Sequence, residues 1–184
     1  GTLTFAGTTS ITVNGNSFTC GGSLTSTNAS IVGTTTLTMN GTGTWSGAGS
    51  LKLSLTFNTA GTITWSGTVT YGIGTMTYTA GTMIVTGSTL VTNTNIGSVT
   101  YNISGMSVNN ITFANATTHT LLSDITALGN VTIANTSSAG TVNGFTVYVG
   151  GNLTSNATSQ PSNGTTSYVM NGTGSLATAG ASGS

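Results

Sequence analysis

The chain has 184 residues but a single Lys (Lys52), a single Asp (Asp124), no Arg or Glu, one His and a formal net charge of zero. It therefore has no basic patch for nucleic acid or for a charged membrane surface, since both contacts need several Lys or Arg side chains. It also has no second carboxylate for paired acid–base hydrolysis, and too few carboxylates for a calcium cage.

What replaces charge is Thr (44), Gly (28), Ser (23) and Asn (18), together 113 of 184 residues. The solvent face must be built from hydroxyls, amides and backbone. Disorder does not follow, because 36% of the chain is hydrophobic and Pro161 is the only proline. The apolar residues are mostly β-branched or aromatic and alternate with polar ones, which predicts an ordered all-β protein. With no net charge, its exposed edges need covering by self-assembly, by glycans or by more of a longer chain. The chain starts at Gly1 without an apolar leader and reads as a mature or trimmed piece of something longer.

Near the start, "VNGNSFTCGGSLTSTNAS" (13–30) contains the lone Cys20, which has no partner for an intrachain disulfide and reads as a small buried apolar residue. The clearest patterning follows at 61–88, "GTITWSGTVTYGIGTMTYTAGTMIVTGS". Gly-Thr recurs at 61, 67, 74 and 81. After each, apolar residues fall at every second position: Ile63 and Trp65, then Val69, Tyr71 and Ile73, then Met76 and Tyr78. Alternation predicts strands with one buried and one wet face, and Gly supplies the corners. These seven apolar residues are the expected filling.

A spacing near seven predicts either a meander or a β-solenoid whose three short sides make a coil of about 20 residues. The solenoid accounts for corners marked mostly Gly-Thr rather than Asn-Gly, while Asn-Gly at 14–15, 40–41, 143–144, 163–164 and 171–172 keeps hairpins open as an alternative. The alternative is a β-sandwich joined head-to-tail by strand donation.

The segment "TLLSDITALGNVT" (120–132) is the nearest approach to a helical period but is equally compatible with two strands around a turn, and little or no helix is expected. Beside it, "HTLLSD" brings His119, Ser123 and Asp124 close in sequence. Nothing around them resembles a nucleophile elbow, so the expectation is a loop in which His119 and Asp124 bond each other. Neither a catalytic residue nor a metal or cofactor site is expected. Zinc needs about four ligands, and Cys20, His119 and Asp124 are one of each type.

Farther on, "VNGFTVYVGGNLTSNATS" (142–159) resembles 13–30, and "MNGTG" at 39–43 recurs at 170–174. The expected organisation is one repetitive domain over 1–158, the start of a second copy of the 13–43 pattern over 159–175, and a flexible end at 176–184.

Asn-x-Ser/Thr occurs at Asn28, Asn40, Asn102, Asn110, Asn115, Asn130, Asn135, Asn152, Asn156, Asn163 and Asn171. These eleven candidate N-glycosylation sites exceed the roughly 6.5 that Ser and Thr, at 67 of 184 residues, would create by composition.

Thr/Gly/Asn-rich alternating repeats with almost no charge resemble the β-solenoid stretches of microbial surface fibres and adhesins and of phage fibres. The resemblance covers most of 1–158 and carries over no functional residue. It implies an extracellular, cell-surface or virion-surface structural role with copies of itself as partner.

The expected function is therefore a self-assembling fibre segment without catalysis. No nucleic-acid partner and no membrane insertion are expected, and covalent glycans are the expected modification. The alternative is a glycan-binding adhesin or tail-fibre module, which would need Trp45 or Trp65 to face out, against the alternation at Trp65. A smaller alternative is ice binding by Thr pairs 62/64, 68/70, 75/77 and 77/79. It requires register on one face, and a corner spacing of 6, 7 and 7 that fades after residue 79 argues against it.

Overall fold

The computed structural model describes residues 1–7, 9–27, 30–47, 49–93, 97–114, 118–134, 141–155 and 165–178. Its alternating sequence winds into an all-β parallel solenoid of about 21 residues per turn, with no helix among the described residues. Every strand pairing among the described residues is parallel, so neither hairpins nor the strand-donated sandwich form.

Each turn has three sides. Face A carries Ser10–Thr12, Thr68–Tyr71, Thr89–Asn93, Asn110–Ala114, Val131–Ala134, Leu153–Ser155 and Leu176–Thr178. Face B carries Phe18–Cys20, Ser98–Asn102, Thr118–Leu121 and Thr141–Asn143. Face C starts with Leu3–Ala6, Leu24–Thr27 and Gly43–Ser46. It is completed lower down by a separate four-stranded sheet of Ser107–Val108, Ile125–Ala127, Thr146–Val149 and Ser167–Met170.

Three long strands bend around corners and serve more than one face: Ser30–Met39, Ser50–Ser66 and Gly74–Ile84. Gly61 and Gly81, expected as breaks, are bends within these strands. The ladder slips register between Asn58 and Thr62.

Alternation sends one side chain in two to the axis, and stacking aligns them in columns. On face A, Ile31 stacks on Leu51, Leu51 on Tyr71, Tyr71 on Thr92 and Thr92 on Phe113. On face B, Leu37, Leu55, Met76, Tyr101 and Leu121 do the same. On face C, Leu24 sits on Trp45 and Trp45 on Trp65. All of these are buried, and each large apolar side chain so placed contributes about 1.5–3 kcal/mol.

Of the predicted filling, Ile63, Trp65, Val69, Tyr71 and Met76 are buried and Tyr78 packs half-buried against the core. Ile73 is a correction: it is exposed. Gly74 takes the core-facing position beneath Val99 (φ +120°), so the alternation slips at this corner and Ile73 turns outward. Cys20 is buried, as expected. Leu176–Thr178, within the expected flexible end, pairs with Leu153–Ser155; residues 179–184 and 159–164 lie outside the described residues.

The corners depend on glycine in two ways. Gly67 (φ +68°) faces open space, whereas a Cβ on Gly144 (φ +111°) would run into the Leu121 carbonyl of the preceding coil. Gly67→Ala should cost only the left-handed backbone penalty of about 1–2 kcal/mol. Gly144→Ala should cost clearly more, because coil separation must also give. Urea denaturation of the two variants checks the order.

Candidate functional site

His119, Ser123 and Asp124 are not brought together. The phase of Thr118–Leu121 points His119 inward, between Val99 and Val142 of the adjacent coils. Its Nδ1 lies 3.1 Å from the Tyr101 hydroxyl, and its ring stacks on Tyr101 (6.1 Å) and meets Phe113 edge-on (5.1 Å). Nε2 is buried without a partner. Desolvation pulls the imidazole pKa down from 6.5 to about 4.

Ser123 is buried, its Oγ accepting from the Ile103 N–H at 3.0 Å. Asp124 is exposed at a corner, its Oδ1 accepting from the Thr146 N–H at 2.9 Å. The expected His119–Asp124 loop contact is thus replaced by two separate coil-to-coil roles, because alternation puts an odd-numbered His and an even-numbered Asp on opposite sides of the wall. Among the described residues no three His, Cys, Asp or Glu side chains cluster as a metal site.

Both tryptophans lie in the core. Trp45 and Trp65 pack edge-to-face at 5.0 Å, and Phe57 closes the cluster at 5.9 and 5.8 Å. Neither can serve as an outward sugar platform.

The outer surface has its own order. At the corner entering face A, the Asn110 Oδ1 accepts from the Asn130 N–H (2.8 Å) and the Asn130 Oδ1 from the Asn152 N–H (2.8 Å). The Asn152 Oδ1 then accepts from the Ser175 N–H (2.9 Å). Each of these asparagines opens the same triplet, Asn-Ile-Thr, Asn-Val-Thr or Asn-Leu-Thr: an amide for the ladder, an aliphatic for the core, a hydroxyl for the outer face. Part of the sequon excess is therefore a consequence of the building pattern.

The Asn110 Nδ2, the atom a glycan would occupy, donates to the Ser88 carbonyl at 3.2 Å. Asn40, Asn102, Asn130, Asn152 and Asn171 are exposed. Asn28, Asn115, Asn135, Asn156 and Asn163 lie outside the described residues. Asn130→Ala should cost about 0.5–1.5 kcal/mol, the net worth of one hydrogen bond, measured as a lower urea midpoint with an unchanged slope.

The threonine pairs also change meaning. Thr62/Thr64, Thr68/Thr70 and Thr75/Thr77 lie on faces C, A and B in turn, so the 6–7 spacing is the length of one side and not a drift along a face. Register is read one coil away, where Thr36, Ser54, Thr75, Thr100 and Thr120 form one column of face B. Thr38, Thr56, Thr77 and Asn102 form the next.

Searches of known protein families, of curated proteins and of solved structures return no match for this chain.

Proposed function

We propose that the chain is a structural segment of an extracellular, cell-surface or virion-surface fibre, in which coils of neighbouring copies stack end to end. The observation that supports this most is the direction of the open hydrogen bonds. A parallel solenoid pairs its strands around all three faces and leaves unpaired backbone only along its axis.

At the two axial ends of the described residues the interior is also uncovered. Leu3, Phe5, Ile11, Val13 and Phe18 are only partly buried at one end, and Leu176 is exposed at the other. A further coil, from the same chain or from another copy, covers both the apolar section and the strand edge. The fibre-like resemblance of the sequence and its uncharged hydroxyl and amide exterior fit the same reading. Where glycans attach, Asn40 and Asn171 are the outward acceptors outside both the ladder and the columns of face B.

Electron microscopy of the purified chain tests the proposal. Unbranched filaments one solenoid wide are expected, and discrete monomers at all concentrations would overturn it.

A further inference from the structure

Face B carries an arrangement that a purely structural wall does not require. Two outward columns run side by side over four consecutive coils: Thr36/Thr38, Ser54/Thr56, Thr75/Thr77 and Thr100/Asn102. The strand rise and interstrand distance of a parallel sheet set their spacing, at about 4.8 Å along the axis and about 6.6 Å along each strand. The result is a two-dimensional array of hydroxyls, with a methyl beside each one contributed by Thr and with Ser54 and Asn102 as the two exceptions, and its axial repeat lies close to the shorter oxygen repeat of hexagonal ice.

The hydroxyls of this grid are also free. Among the described residues, Thr36, Thr38, Thr56, Thr75, Thr77 and Thr100 make no side-chain hydrogen bond, and within the grid Ser54 Oγ accepts one, from the Thr75 N–H at 3.4 Å. Face C is also rich in threonine and leaves the Thr44 and Thr64 hydroxyls free, but its outward column runs from Thr64 onto the exposed Ile84, which interrupts it. There the Ser23 Oγ accepts from the Thr44 N–H (3.0 Å), the Thr42 Oγ1 from the Thr62 N–H (3.3 Å), and Thr25 and Ser46 bond each other (3.4 Å). Face A is crossed by Lys52, by Val91 and by the asparagine ladder. Face B over these four coils thus combines two uninterrupted columns at an ice-like axial spacing, mostly unused hydroxyls and no charge.

We propose that this half of face B binds the surface of ice. Liquid water solvates any polar face, but a crystal discriminates, because its oxygens are fixed and only a rigid, matching grid contacts many of them at once. Each hydroxyl hydrogen-bonds a lattice water while the neighbouring methyl sits against the next. Stacked coils hold the side chains in place beforehand, so little conformational entropy remains to be lost on binding. Charged side chains, whose hydration shells would disrupt the lattice, are absent from the grid. The inference stands apart from the fibre reading, since a single solenoid or a filament would present the same face.

Ice-recrystallisation inhibition and thermal hysteresis of the full chain test it, with variants Thr56→Tyr and Thr77→Tyr on face B and Thr64→Tyr on face C. Circular dichroism selects variants that keep the β signal. The expected result is activity in the parent and in Thr64→Tyr, with loss in both face B variants. An inactive parent, or equal activity in all three variants, would overturn the proposal. Binding to insoluble cellulose or chitin that the same face B variants abolish, without ice activity, would also overturn it, in favour of a polysaccharide surface.

Discussion

Replacing Trp65 by Ala should lower the unfolding free energy by about 3–5 kcal/mol, the range for deleting a buried aromatic. Trp65 is 1% exposed, stacks in register on Trp45 and packs against Phe57. The coils above and below are tied to it by backbone bonds, so the hole cannot collapse without breaking rungs. Against a typical domain stability of roughly 5–15 kcal/mol, such a loss is large. Thr64→Ala, one position away on the outer side of the same strand, should change stability by less than about 0.5 kcal/mol. Urea unfolding followed by circular dichroism reads both, and comparable effects at 64 and 65 would contradict the assignment of inner and outer sides.

Acid should weaken the fold through one side chain. The folded state holds His119 at a pKa of about 4 by burial, against about 6.5 when unfolded. Between those values the unfolded chain binds the extra proton, so stability is full above about pH 6.5 and declines as pH falls towards 4. The total decline is about 3 kcal/mol, since a tenfold change in proton affinity corresponds to about 1.36 kcal/mol. On the alkaline side, desolvation raises the Tyr71 and Tyr101 hydroxyls, which leaves stability flat up to about pH 10. His119→Val, matching its column neighbours Val99 and Val142, should remove the acid slope whatever it does to the baseline. A parent whose urea midpoint is constant from pH 7 to pH 4 would contradict the buried, neutral imidazole.

Much of this was legible in the residues, because alternation and corner spacing are local. Phase alone places Trp65, Val69, Tyr71 and Met76 inside, and seven-residue sides imply a coil near 20. Phase cannot separate the solenoid from a sandwich, since both ask for one buried face per strand and differ only in which strand lies alongside. The coil period is nevertheless present, in Ser10, Ser30 and Ser50 and in Asn110 and Asn130, each pair 20 apart and each stacked in register.

His119 was legible too. In "THTL" it shares the phase of Leu121, and the rule that places Trp65 inside places it there as well. Its nearness to Asp124 in sequence obscures this. Ile73 is beyond such reading, because its direction depends on Gly74 taking a core position in the next rung. The free hydroxyls of face B emerge only when the neighbouring coil is in place.

Successive coils of about 21 residues stack in parallel register, so sequence separation maps linearly onto distance along one axis. Spin labels at Ser30 paired with Thr112, Thr132 or Thr154, on face A with Cys20 replaced by Ala, measure this directly. These positions lie four, five and six rungs from Ser30. At about 4.8 Å per rung, pulsed electron spin resonance should give distances rising evenly through about 19, 24 and 29 Å. Distances that fail to rise with rung number, as in a sandwich or meander, would contradict it.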